Sequence, residues 1–300
     1  MQLRRRTRYV YGVDTITGNA AQSCCTFRRN ATILPAATNP APYVLDETED
    51  FAVVFKPPRM HCAPARSGNG DTLLDWYAAV FPPVAGLRGR KTGEGGLLHR
   101  LDFETNGLVL FAKNQKSLDF LLEQQAQGNF VKEYTAICRK PERGKTPPLT
   151  SGFPPPCFSW HDVLTPGSFV IESFFRPFGP GRKQVRPVAN TAVDDCRSKT
   201  AKDRSGLYRT EITGVSARNL CGGGSGDGLR FTVRLRRGFR HQVRCHLAWI
   251  GCPILNDPLY GEETARGFLA LCADGLFFDD PGTGRRREYR PLDTAAREDA

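Results

Sequence analysis

The chain has 300 residues, of which 40% are hydrophobic, so it can bury a sizeable core. Its formal net charge of +11, from 42 Lys and Arg against 31 Asp and Glu, indicates a polyanionic partner, of which RNA and DNA are the commonest. No apolar run approaches the roughly 18 residues of a membrane-spanning helix, so no membrane partner is expected.

The ten cysteines show neither a disulfide framework nor a metal-binding pattern. No Cys-x-x-Cys pair occurs, and several cysteines, such as Cys138 and Cys272, lie within apolar stretches. Buried reduced thiols in a reducing compartment explain this distribution best. We therefore predict a cytoplasmic protein without a metal site.

The N-terminal 42 residues differ in composition from the rest of the chain. Six arginines stand against a single acid, Asp14, and prolines interrupt the end of the segment. The segment lacks the apolar core of a secretory signal. We predict a loosely ordered basic extension over 1–42, one folded domain over 43–292 and a short tail over 293–300.

Hydrophobic periodicity predicts both strands and helices from residue 43 onward. Asp71 or Thr72 is placed to cap the first helix, and Asn114 and Gly128 are placed to begin and end the second. The predicted strands cover 43–45, 51–55, 108–112, 130–137, 207–213 and 229–235, and the predicted helices cover 72–80, 115–127 and a stretch that ends at Gly251.

Residues 98–102 read Leu-His-Arg-Leu-Asp and separate two apolar runs. Asn106-Gly107 predicts a turn before the buried strand over 108–112. Asp102 is therefore expected on a loop, where a carboxylate can be held rigidly and still meet a substrate. On local chemistry alone, a plain turn residue is the simpler interpretation, because Asp favours turns.

Residues 238–251 read Gly-Phe-Arg-His-Gln-Val-Arg-Cys-His-Leu-Ala-Trp-Ile-Gly, and their apolar spacing predicts a helix. Arg240 and Arg244 are four residues apart and are expected on one helix face. His241 and His246 are five apart and would face different ways, which argues against joint metal binding.

A basic segment rich in Gly and Pro covers residues 176–186 and includes Arg182 and Arg186. Such a loop suits the phosphates of a nucleic-acid backbone. A solvated basic loop without a partner explains the composition equally well.

Several motifs, in the expected order, resemble those of the RluA-type pseudouridine synthases. The similar segments are Lys56-Pro57, Leu98–Asp102 with Thr105–Leu108 (the family's His-Arg-Leu-Asp motif), Lys132-Glu133-Tyr134 (Lys-x-Tyr), Gly238–Arg244 (Gly-Arg-Thr-His-Gln-Ile-Arg) and Asp257–Gly261 (Asp-Pro-x-Tyr-Gly).

The resemblance implies an α+β fold, with a mixed, mostly antiparallel sheet flanked by helices and loops around an active-site cleft. It implies isomerisation of uridine to pseudouridine in structured RNA (rRNA or tRNA) without a cofactor, and we expect a monomer. Asp102 would be catalytic, as nucleophile or as base. Arg244 would pair with Asp102 and keep it ionised, and Tyr134 would stack on the uracil.

The same resemblance implies contacts with RNA around the target nucleotide. The uridine must be flipped out of its duplex, and Arg100 would fill the gap that it leaves. Lys132 would support the strand that carries Tyr134. The other residues that we assign to RNA binding are His99, Arg240, Gln242, Arg182 and Arg186.

Two positions depart from the family pattern. Phe239-Arg240 stands where the family has Arg-Thr, which changes the contacts expected of that arginine. Cys272 stands in place of a family histidine and is expected to be a change within the core.

Two other functions remain open from the sequence. One is a non-catalytic RNA-binding or chaperone-like protein that has kept the fold, although intact Asp102, Tyr134 and Arg244 argue against it. The other is a carboxylate hydrolase, which would need a second acid near Asp102, and Glu104 is the only close one.

Overall fold

The computed structural model describes residues 40–64, 71–140, 152–155, 168–188, 206–219, 227–261 and 267–290. Nearly all of the predicted N-terminal extension, and the whole of the predicted tail over 293–300, lie outside these residues.

A mixed sheet of ten strands organises the described residues. Its order is β1-β2-β3-β9-β4-β8-β7-β5-β6, with β10 paired to β9. All neighbours are antiparallel except β3 and β9, so the predicted mixed, mostly antiparallel sheet is confirmed. The strands are β1 Tyr43–Glu47, β2 Phe51–Lys56, β3 Asn106–Ala112, β4 Val131–Arg139, β5 Phe169–Phe178, β6 Gln184–Val188, β7 Tyr208–Asn219, β8 Asp227–Leu235, β9 Leu271–Asp279 and β10 Arg286–Tyr289.

The parallel pairing of β3 with β9 corrects the prediction of a turn at Asn106-Gly107. Both residues instead begin β3 and pair with Cys272 and Ala273. Gly107 has a φ of 130°, and a Cβ added there would lie 2.2 Å from the carbonyl oxygen of Ala273. A glycine is therefore required by the close approach of a distant strand. The turn lies earlier, where the Thr105 N–H donates to the Asp102 carbonyl at 3.1 Å.

Three α-helices occur in the described part of the chain: α1 Leu73–Val80, α2 Gln115–Gln127 and α3 Gln242–Trp249. The predicted caps are confirmed. The Thr72 hydroxyl accepts from the Asp75 N–H, the Asn114 side chain accepts from the Ser117 N–H, and Gly128 ends α2 with a φ of 78°. Within the described ranges, no helix is long and apolar enough to cross a membrane.

Hydrophobic side chains cover both faces of the sheet. The alternation along β2 and β3 sends one set of side chains towards α1 and α3 and the other set towards α2. The first set includes Val54, Val109 and Phe111, and the second includes Val53, Leu110 and Ala112. Packing on both faces holds the central strands in place, and this fixes the points where the loops at their ends begin.

Two predicted segments take a different form in the structure. The basic stretch 176–186 is not an open loop, because β5 and β6 pair as a hairpin around a short 3₁₀ turn at Pro180–Arg182. Arg240 lies before α3, so it does not share a helix face with Arg244 as predicted. The Arg240 side chain donates to the carbonyls of Arg182 and Gln184, at 2.8 and 3.1 Å.

We expect Gly107→Ala to destabilise the protein by about 2–5 kcal/mol, because it adds backbone strain to a clash with the β9 backbone. The measurement is the free energy of unfolding in denaturant. Gly86→Ala is the control, since a Cβ at Gly86 meets nothing within 4 Å. Equal effects of the two substitutions would contradict the close β3–β9 contact.

Candidate active site

A cleft of about 830 Å³ lies where the loop before β3 meets β4 and the segment between β8 and α3. Asp102, Tyr134 and Arg244 all line it, so the structure brings together the three residues predicted to be catalytic. Lys132 lines the same cleft from the strand that carries Tyr134.

The backbone on both sides of Asp102 is held by buried side chains. The Lys56 ammonium donates to the carbonyls of Pro57, Met60 and Phe103, at 2.8, 2.9 and 3.3 Å. The Cys62 sulfur accepts from the Leu101 N–H at 3.1 Å and donates to the Leu101 carbonyl at 3.4 Å. Burial lowers the pKa of Lys56 to about 8. The sequence did not reveal these two roles, although Lys56 belongs to the Lys-Pro motif.

Two of the three guanidinium nitrogens of Arg244 bind a second carboxylate, Asp257. Its Nε donates to Asp257 Oδ2 at 2.8 Å, and its Nη2 donates to Asp257 Oδ1 at 2.6 Å. The Arg244 side chain is 2% exposed and that of Asp257 is 0% exposed. Burial alone would lower the pKa of Arg244, but the hydrogen bonds with Asp257 outweigh it and raise that pKa. The guanidinium is therefore charged and fixed in orientation.

The remaining terminal nitrogen of Arg244 faces Asp102. Nη1 lies 3.9 Å from Asp102 Oδ2, which is close enough for an ion pair but too long for a hydrogen bond. The Asp102 side chain is 23% exposed. A carboxylate in this position keeps access to the cleft while a fixed positive charge lies beside it.

His241 is a neighbour of Asp102 that the sequence-based site did not include. It adopts a left-handed conformation with a φ of 56°, at the residue before α3. Its Nε2 lies 4.0 Å from Asp102 Oδ1, and its Nδ1 lies 3.2 Å from the Tyr260 hydroxyl. Burial lowers the pKa of His241 to about 4 despite the nearby carboxylate, so the ring is neutral at neutral pH. In the sequence, the feature that could have placed His241 in the site is its position just before Gln242-Val243-Arg244.

Tyr134 presents a neutral phenol to the cleft. Its side chain is 6% exposed, and burial, followed by the charge of Asp102, raises its pKa well above the ordinary value. The ring therefore offers an apolar face beside the carboxylate at any physiological pH. Such a surface suits a stacked base.

The residues predicted to bind RNA fall into two groups. Arg100 is 53% exposed at the cleft, where Glu94 lies 3.4 Å away, and Arg182 is exposed on the β5–β6 hairpin. Arg186 donates to the Gly152 carbonyl at 3.2 Å. Arg182 and Arg186 belong to the hairpin and do not line the cleft.

The second group lies inside the protein. His99 is 7% exposed, and its Nε2 accepts from the Leu110 N–H at 3.3 Å. Gln242 donates to the Arg209 carbonyl and the Thr210 hydroxyl, both at 2.9 Å. Both amide hydrogens of Gln242 are thus used internally, which leaves none for RNA, contrary to the prediction from the sequence.

The two departures from the family pattern are both accommodated in the core. Phe239 stacks on Phe175 with a centroid separation of 5.0 Å. Cys272 is 2% exposed, and its sulfur accepts from the Asn106 side chain at 3.3 Å, as expected of a core change.

The chain belongs to the RNA pseudouridylate synthase family, whose sequence model matches residues 50–249. An uncharacterized RNA pseudouridine synthase, YlyB, from Bacillus subtilis is 26% identical over 245 residues, which cover 81% of this chain and 66% of that protein. Ribosomal large subunit pseudouridine synthase D from Escherichia coli K12 is 25% identical over 219 residues, covering 73% of this chain and 52% of the relative. The chain thus spans about half to two thirds of the length of these relatives.

A solved structure shares the fold. Human RNA Pseudouridylate Synthase Domain Containing 1 superposes with a TM-score of 0.56 at 17% identity, covering 86% of this chain and 85% of that one. The α+β pseudouridine synthase fold expected from the sequence motifs is therefore confirmed.

We expect Asp257→Ala to cost about 3–5 kcal/mol of stability, because it leaves the buried Arg244 guanidinium without a counter-charge. Denaturant unfolding measures the loss. Asp279→Ala is the control. Asp279 forms an ion pair with Arg286 at 3.1 Å, and the Arg286 side chain is 41% exposed. Such a surface pair contributes about 0–1 kcal/mol to stability. A loss at Asp257 no larger than that at Asp279 would contradict a dependence of Arg244 on Asp257.

Proposed function

We propose that this protein converts specific uridines of ribosomal RNA to pseudouridine, with Asp102 as the catalytic residue. Family membership supports the reaction, and the ribosomal large subunit synthases among its relatives support the substrate. The observation that carries the proposal is the Asp102 carboxylate in an open cleft, with Arg244 at 3.9 Å and Tyr134 lining the same cleft.

The reaction is an isomerisation, so atoms and electrons balance within the nucleotide. The bond between C1′ and N1 of the uracil breaks, and a bond between C1′ and C5 forms. The proton lost from C5 is matched by a proton gained at N1. One carboxylate, acting as nucleophile or as base, can serve these steps without an oxidant or reductant.

The surroundings of Asp102 fit this chemistry. Arg244 places a fixed positive charge 3.9 Å from the carboxylate. His241 is neutral and adds no competing charge. Tyr134 supplies a flat face against which an uncoupled uracil can rest while it turns.

RNA would reach the site through base flipping. A uridine within a duplex hides its reacting atoms, so it must leave the stack before it enters the cleft. Arg100 is 53% exposed at the cleft and would exchange its ion pair with Glu94, at 3.4 Å, for the gap in the stack. The hairpin residues Arg182 and Arg186 extend the basic surface beyond the cleft.

We expect Asp102→Asn to lower pseudouridine formation by at least about 100-fold while RNA binding persists, because the substitution keeps size and removes charge. The measurement is pseudouridine mapping in rRNA treated with each variant. Glu104→Gln is the matched control, since Glu104 forms an ion pair with Arg59, at 3.7 Å, and does not line the cleft.

Normal turnover by Asp102→Asn would contradict the catalytic assignment. Loss of activity in Glu104→Gln as well would point to paired-carboxylate chemistry. A wild-type protein that binds rRNA but forms no pseudouridine in rRNA or tRNA would favour a non-catalytic RNA-binding protein.

A further inference from the structure

Three Lys or Arg side chains are buried in the described part of the chain, and they differ in how their charge is satisfied. Lys56 donates to three carbonyls, and Arg244 pairs with Asp257. Lys132 is 5% exposed, yet its Nζ makes no hydrogen bond or ion pair with any described residue. A positively charged side chain that is largely removed from water without an opposite charge is costly, so its retention calls for an explanation.

Arg90 and His99 line the same cleft as Lys132. Arg90 is the charged side chain that acts on it most strongly, and burial followed by Arg90 lowers the pKa of Lys132 to about 8. His99 is neutral, because burial and the charge of Lys132 hold its pKa well below the ordinary value.

The position of Lys132 relative to Tyr134 fits one nucleotide. The two residues are two apart on β4, so both side chains point to the same face, about 7 Å apart along the strand. Gly238 lies against the ammonium, since a Cβ added there would be 2.8 Å from Lys132 Nζ, and both residues line the cleft. The ammonium thus lies in the cleft, one side-chain spacing from the proposed base platform.

We propose that Lys132, with Arg90, forms a subsite for one phosphate of the RNA backbone next to the nucleotide whose base rests on Tyr134. The nature of the anion rests on the proposed function. Neither cation forms an ion pair with a carboxylate of the described residues, and a phosphate there would supply that negative charge.

A purely structural role for Lys132 makes the opposite prediction about stability. If the ammonium supports β4, its removal should destabilise the protein. If the ammonium instead binds an anion, replacing Lys132 with an apolar side chain of similar length should stabilise the free protein while weakening RNA binding.

The test compares Lys132→Met, Lys132→Arg and the control Lys116→Met, which removes the same charge from an exposed position on α2 outside the cleft. The affinity for deproteinised large-subunit rRNA is measured against salt concentration. We expect Lys132→Met to weaken binding several-fold and to reduce the slope of log K against log salt by about 0.7–0.9, the loss of one phosphate contact. Lys132→Arg should keep the wild-type affinity and salt slope, and Lys116→Met should change neither quantity.

Thermal unfolding of the free protein is the second measurement. We expect Lys132→Met to have a higher Tm than the wild type. The pKa of Lys132 rises from about 8 in the folded protein to its ordinary 10.5 on unfolding, so the wild type gains stability as pH rises through this range. The difference in Tm between Lys132→Met and the wild type should therefore become smaller above pH 8. Both proteins keep Arg90 and His99.

An unchanged salt slope, a slope reduced equally by Lys116→Met, or a lower Tm for Lys132→Met would each overturn the subsite. Inorganic phosphate that raises the Tm of the wild type alone, without competing with rRNA, would assign the subsite to a free anion and also overturn it. These readouts are binding and stability, so a failed subsite in an enzyme that still forms pseudouridine is distinguishable from failure of the proposed function.

Discussion

The buried guanidinium of Arg244 is the constraint on which the site depends. A charge removed from water must be met by an opposite charge with good geometry, and Asp257 meets it with two hydrogen bonds. This pair joins α3 to the turn that follows it and fixes the direction of the third guanidinium nitrogen. That nitrogen faces Asp102 at 3.9 Å, so two segments more than a hundred residues apart form one site.

The loop that carries Asp102 is also held in place by buried side chains. Lys56 and Cys62 bind the backbone of Phe103 and Leu101, so the residues on both sides of the carboxylate are fixed while its side chain stays 23% exposed. Lys132 is the contrasting case, because its charge has no partner within the described residues. Stability given up at one position in a cleft is typical of a site that awaits a charged ligand.

Local interactions made part of this structure predictable. The caps at Thr72 and Asn114 and the stop at Gly128 depend on side chains and backbone within a few residues, so the sequence predicts them. The motifs, through their resemblance, predicted that Asp102 and Arg244 would share a cleft. The wrong predictions involve residues whose partners are distant in sequence. Gly107 is in close contact with β9, and the Gln242 side-chain amide donates to β7. The roles of Lys56 and Asp257 likewise appear only once the chain is folded.

The central claim is that Arg244 and Asp102 act as one unit, and a double-mutant cycle on single-turnover pseudouridine formation tests it most directly. The variants are Asp102→Ala, Arg244→Ala and the double substitution, with Arg244→Lys to keep charge without the rigid fork. We expect each alanine variant to lose nearly all activity, the double variant to lose little more, and Arg244→Lys to lose much of the rate. Losses that multiply in the double variant, with RNA affinity unchanged, would show that the two side chains act independently and would contradict the account.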